Sequence, residues 1–356
     1  MIIASTIGIL ASLTFQKPLD PALEWHDCSE TQFLEGRGFP GQGNPFNRIP
    51  ESQKPRMSDR AWELSQTSIG FNVRFKTDSD TLAVQWEFPE YVSALPYMSM
   101  IAHCGIDIYA RGPKDKGWRH VNGGVSAGGN RSCFSGAVKW KWRPGDEAMI
   151  YLPMRTGPKS FAIGLKKGAT FERAHEHIVD KPVVIYGTSI VNGGIVSRPG
   201  VAFTSVMGRF ADVEVVNLGF SGVGFMELPM ADLVADVDAS LYILDCLPNM
   251  NPERVEKNYE PFLRQLRKRR PDVPVILCGR CTPSERPVGS EESMLRIYNR
   301  LREKEPELVK NTYYLPGPDM LPHTDDCMAD ESHPSDWGHN HMGRVYAKKI
   351  QEILGH

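Results

Sequence analysis

Lys181-Pro182-Val183-Val184-Ile185-Tyr186-Gly187-Thr188-Ser189-Ile190 opens the second half of this 356-residue chain. Four apolar residues between a proline and a glycine read as a strand buried on both faces. Similar runs follow at Val213–Asn217, Leu241–Asp245, Val273–Leu277 and Thr312–Leu315. Helical stripes separate them. Phe203, Val206, Met207 and Phe210 form one. Val255, Tyr259, Phe262, Leu263 and Leu266 form another, with Asn251 as its cap and Pro252 at its first position. Leu295, Tyr298 and Leu301 continue the pattern, and Met342, Val345, Tyr346, Ile350 and Ile353 close it. Alternating strands and helices of this kind predict a five-stranded parallel sheet covered on both faces, a three-layer α/β/α fold.

Upstream of residue 180 the character changes. Six of the seven tryptophans lie there, among short extended segments broken by glycine and proline. Phe71–Lys76, Thr81–Phe88, Met98–Tyr109, Met149–Pro153 and Ser160–Leu165 are strand candidates, and Val138, Trp140 and Trp142 share one face. Their spacing predicts an antiparallel, jelly-roll-like β-sandwich. Residues 36–58, rich in Gly, Pro, Asn and Ser, are expected to form a long surface loop. The expected division is 21–178 for the sandwich and 179–356 for the α/β domain, after an N-terminal segment 1–20. Met1–Phe15 carries no charge and resembles the apolar core of a signal peptide, so export to the periplasm or medium is expected over a cytoplasmic location.

Composition excludes several classes. Hydrophobic residues make up 41% and charged residues 24%, which is globular rather than disordered. A net charge of −2 gives no general attraction for nucleic acid. No apolar run reaches the roughly 20 residues of a membrane span. Seven cysteines are too few for a disulfide scaffold, and the odd number leaves one unpaired within a single chain.

Ligands of open parallel sheets sit beyond the carboxyl ends of the strands. There the sequence places Gly187-Thr188-Ser189, then Asn217-Leu218-Gly219-Phe220-Ser221-Gly222, then Cys246-Leu247-Pro248-Asn249, and finally Asp330-Glu331-Ser332-His333-Pro334. A hydroxyl, a glycine-rich turn, an amide and an Asp/His pair are the parts needed for acyl transfer through a serine ester. In order and content these four blocks resemble those of the SGNH (GDSL-like) hydrolases, with Thr188 where Asp is usual. The resemblance implies a flavodoxin-like catalytic domain with Ser189 as nucleophile, His333 as base and Asp330 as its partner. It also implies an oxyanion hole from the backbone N–H groups of Ser189 and Gly222 and the Asn249 amide. Gly105-Ile106-Asp107-Ile108-Tyr109 resembles the GxDLY signature of the sandwich that precedes some of these enzymes, with Ile108 in place of Leu.

The expected function is hydrolysis of short-chain acyl esters, acetyl foremost, with a small molecule or carbohydrate as leaving group and no cofactor or metal. The alternative is a carbohydrate-binding protein with an inactive SGNH-like domain. Other signals read as structural. His333, His339 and His341 with Asp336 have metal-ligand character, but one catalytic histidine beside a helix start accounts for them. Cys278-Gly279-Arg280-Cys281 has redox spacing without a following helix. The basic run Arg264–Arg270 fits a solvated helix end.

Overall fold

A computed structural model describes residues 19–29, 32–93, 95–125, 132–281, 289–322 and 325–355. The leader-like stretch therefore lies outside the described residues, apart from its last two positions. The described residues before 180 form β1 Leu23–Asp27, β2 Leu34–Glu35, a 3₁₀ helix Glu51–Arg56, α1 Asp59–Ser65, β3 Asn72–Lys76, β4 Thr81–Ser93, α2 Met100–Cys104, β5 Ile106–Arg111, β6 Arg119–Gly124, β7 Ser132–Lys141, β8 Glu147–Tyr151, β9 Ser160–Lys166 and β10 Glu172–Arg173. They build two antiparallel sheets, β1-β9-β4-β7 and β10-β3-β8-β5-β6, with β2 beside β3.

Alternate residues of both sheets meet in one core. Leu82, Val84 and Trp86 of β4 and Phe161, Ile163 and Leu165 of β9 pack against Val73, Phe75, Ile106, Ile108 and Ile150. Each such side chain contributes roughly 1.5–3 kcal/mol by leaving water. The expected strand Met98–Tyr109 is two elements. Ser99 caps α2 by accepting from the Ala102 N–H, and the chain extends only from Ile106. Residues 36–58 are not simply a surface loop. Phe39 and Ile49 enter the core of the second half, and Phe46 enters the sandwich core. The Gly/Pro-rich composition masked these widely spaced anchors.

The second half runs β11 Val183–Gly187, α3 Phe203–Ala211, β12 Val215–Gly219, α4 Leu228–Asp236, β13 Leu241–Asp245, α5 Pro252–Arg269, β14 Val275–Cys278, α6 Ser290–Lys304, β15 Thr312–Leu315, α7 Gly317–Met320 and α8 Asp336–Leu354. Its sheet is parallel throughout, in the order β12-β11-β13-β14-β15. One face, with Val184, Tyr186, Tyr242 and Leu244, is covered by α4, α5 and α6. The other, with Val183, Ile185, Leu241 and Ile243, is covered by α3 and α8. Phe210 departs from its expected stripe: it is exposed, under the Arg344 guanidinium at 4.0 Å. Strand order reverses at β11, so the crevice beyond β11 and β13 is where this topology opens a ligand site.

The halves are joined by buried polar contacts. The Arg48 guanidinium donates to the carbonyls of Asn217, Gly219 and Leu64. Asp107, fully buried, accepts from Arg198 Nη1 at 2.7 Å and from Gly200 N at 2.9 Å. Tyr109 also accepts from Arg198 Nη1, at 2.7 Å. The signature-like segment at the start of β5 thus holds the loop that leads into α3.

Candidate active site

Ser189 stands two residues beyond β11. No helix starts there. Asn192 N bonds Thr188 O and Gly194 N bonds Ser189 O, so the segment closes as successive turns, and α3 begins only at Phe203. The loop keeps Ser189 half-buried at the cavity wall, while Thr188 points into the protein and its Oγ1 accepts from Ile190 N at 3.4 Å.

His333 reaches Ser189 from the loop before α8. Its Nε2 lies 2.9 Å from Ser189 Oγ, and its Nδ1 lies 2.9 Å from Asp330 Oδ2. A carboxylate only accepts, so Nδ1 carries the proton and Nε2 is left to accept the serine hydroxyl. Asp330 Oδ1 also accepts from the Ser332 and His333 N–H groups, both at 2.7 Å. Burial alone would raise the Asp330 pKa, but the His333 contact and these two N–H groups outweigh it and hold the carboxyl below its usual range. Gly194 faces the imidazole so closely that a Cβ there would stand 2.9 Å from His333 Cδ2.

Gly222 and Asn249 line the same cavity, of about 660 Å³, as Ser189 and His333. Gly222 has φ +73°, a left-handed conformation that suits glycine and turns the chain at the cavity wall. Asn249 ends a short 3₁₀ turn, Leu247–Asn249, and its Nδ2 donates to Val223 O at 2.6 Å. That bond fixes the amide orientation and leaves its second hydrogen free to donate. Asn249 is not the cap of α5; Asn251 is, accepting from Arg254 N. Among the described residues neither Ser189 N nor Gly222 N donates to a protein carbonyl.

The residues behind the competing signals have other partners. His339 is fully buried: its Nδ1 accepts from Phe203 N and its Nε2 meets Gly194 O, while His341 packs on Trp337. Among the described residues no three metal-ligating side chains cluster. Cys278 and Cys281 are free, buried thiols whose pKa values burial drives upward. In the basic run, Arg264 pairs with Glu260 and Glu305, Arg269 with Asp232 and Asp236, and Arg270 with Asp238. Arg267 is buried against the carbonyls of Val273 and Lys310. No helix among the described residues is long and apolar enough to cross a membrane.

Sequence reasoning missed the cavity's other wall. Arg60, Tyr97 and Arg155 enter it from the first half, and Arg280 from beyond β14. An arginine in a seven-residue helix, like Arg60, or in an irregular segment, like Arg155 and Arg280, carries no periodic signal, so only the fold reveals it.

Comparison with known proteins agrees with this architecture. Residues 180–351 match the GDSL-like lipase/acylhydrolase family, and residues 23–171 match the GxDLY N-terminus of SGNH-hydrolase-type esterases. A candidate GDSL-like lipase of Bacteroides ovatus superposes with TM-score 0.80 at 28% identity, over 94% of this chain and 98% of its own. A salicylyl-acyltransferase from a tetracycline biosynthetic pathway gives 0.70 at 18%, over 95% and 99%. A family two carbohydrate esterase of Cellvibrio japonicus gives 0.57 at 10%, over 94% and 99%. The last two show a common fold. No protein of curated function matches by sequence. Fold and family together define a carboxylic ester hydrolase. The chain belongs to the GDSL-like, or SGNH, hydrolases, with a GxDLY sandwich as its first half.

Proposed function

We propose that this protein hydrolyses short-chain acyl esters, acetyl foremost, through Ser189, His333 and Asp330. The carrying observation is the unbroken chain Ser189 Oγ–His333 Nε2 and His333 Nδ1–Asp330, each link 2.9 Å. As Ser189 Oγ bonds the acyl carbon, its proton passes to His333 Nε2. His333 then protonates the departing alcohol. Water attacks the acyl-enzyme, gives a proton to His333, and Ser189 recovers it as the acid leaves. Ser189 N, Gly222 N and the Asn249 amide serve the oxyanion.

Carbohydrate is the favoured leaving group, because carbohydrate esterases share this two-part fold. The uncharged, apolar Met1–Phe15 segment supports an exported enzyme meeting such substrates outside the cell. The sandwich, residues 21–178, and the catalytic domain, residues 179–356, act as two units of one enzyme, a reading supported by the buried contacts of Arg48 and Asp107 between them. The test compares acetate release from acetylated xylan and mannan with turnover of 4-nitrophenyl acetate, butyrate and octanoate. The expected result is acetate release and a preference for acetyl over octanoyl, both lost in Ser189→Ala. Undiminished activity in that variant, or preference for octanoyl, contradicts the proposal.

A further inference from the structure

Arg155 lies in the turn after β8 and lines the cavity that holds Ser189. Its backbone N–H bonds His103 O at 3.2 Å, and its Nε donates to Met98 Sδ at 3.3 Å, a weak acceptor. Among the described residues no carboxylate comes within ion-pairing distance of this guanidinium. Its surroundings are of its own sign. Arg60, itself paired with Glu63, lines the same cavity and repels it, Arg48 is close enough to repel it, and His103 beside it is held neutral, its pKa pushed down to about 4 by burial and by Arg155. Burial and Arg60 press the Arg155 pKa downward, against the contribution of Tyr97. Of the lining carboxylates, Asp330 is engaged by His333, and Glu331 is exposed beside it.

A largely buried cation with no acid partner is costly to the fold. The cost is understandable where a ligand supplies the missing anion. Two buried arginines away from the cavity contrast with it: Arg74 holds Glu147, and Arg267 donates to the carbonyls of Val273, Lys310 and Asn311. Among the described residues, Arg155 alone combines substantial burial, no acid within ion-pairing distance and a place on the wall of the reaction cavity.

We infer that Arg155, supported by Arg60, is an anion-recognition subsite, and that the ester this enzyme processes carries a carboxylate near the scissile bond. The inference rests on the esterase reading above. The anion belongs either to the acyl half or to the alcohol half, as in an acylated sugar acid. A guanidinium presents paired donors that fit a carboxylate, and desolvation in the cavity strengthens the contact. Arg155 comes from the first half of the chain, so the sandwich would set substrate choice for a nucleophile held by the second.

Matched ester pairs decide it. Phenyl hydrogen adipate against phenyl methyl adipate places the charge on the acyl side. 4-Acetoxybenzoate against its methyl ester places it on the alcohol side. At least one anionic ester should exceed its neutral partner in kcat/KM by about 10-fold or more, mainly through KM. The ratio should fall with added salt, collapse towards one in Arg155→Gln, and partly return in Arg155→Lys. If Arg155→Gln does not fold, Arg60→Gln, at an exposed position, must lower the ratio. Turnover of neutral esters with no anionic preference in either pair overturns this inference and leaves the esterase reading standing. A preference that survives Arg155→Gln also overturns it. No turnover of any ester, with no fluorophosphonate adduct on Ser189, overturns both.

Discussion

Asn249 shows how much one residue depends on its turn. Pro248 disfavours helix at Leu247, and the chain tightens into a single 3₁₀ turn before α5 is capped by Asn251. The amide is thereby placed on the cavity wall with one hydrogen committed to Val223 O. A donor that acts as charge develops on the carbonyl oxygen affects kcat more than binding. Asn249→Ala should therefore fold, label slowly at Ser189, and lose about 10²–10³ in kcat. Near-normal kcat with about 1 kcal/mol of lost stability, the worth of the bond to Val223 O, would make Asn249 a structural residue instead. Steady-state kinetics together with thermal unfolding separate the two. At this scale the sequence was informative wherever chemistry fixes the residue type. Ser189, Asn249, Asp330 and His333 were legible as candidate groups beyond the parallel strands, and the fold brings them to one cavity. Arg155 and Arg48 were illegible, because a single arginine in a turn looks the same whether it is solvated or buried.

Elements were legible in proportion to their periodicity. The five parallel strands and the stripes of α5 and α8 stand near their expected bounds, since buried strands and amphipathic helices write their period into the sequence. The segment after Ser189 did not. It carries Gly193 and Gly194 and closes by successive turns, which leave no period to read. That loop is pinned by α8. His339, fully buried in the helix, accepts from Phe203 N at 3.2 Å and meets Gly194 O at 3.3 Å. Burial pushes its pKa from 6.5 down to about 4, partly offset by the bond to Gly194. The folded protein thus keeps His339 neutral where the unfolded chain would take a proton. Its contribution is complete above pH 6.5 and is lost as pH falls towards 4, by up to about 3 kcal/mol. Between pH 7 and 4.5 the wild-type Tm should therefore drop more steeply than that of His339→Gln. Parallel slopes would show that this histidine does not govern acid sensitivity.

At the scale of the whole molecule, the two halves act as one body around the cavity. Arg48 ties the first half to the carbonyl ends of β12, and Asp107 with Tyr109 clamps Arg198 and Gly200 ahead of α3. These contacts are buried and charged, so losing one partner would strand the other. Ester chemistry at Ser189 is the claim on which the rest stands. It is tested most directly by reacting the intact protein with a fluorophosphonate and mapping the adduct by peptide mass spectrometry. A single adduct on Ser189, formed at least about 100-fold more slowly in His333→Ala, is the predicted result. An adduct on another serine, or labelling of Ser189 at the same rate without His333, would contradict it.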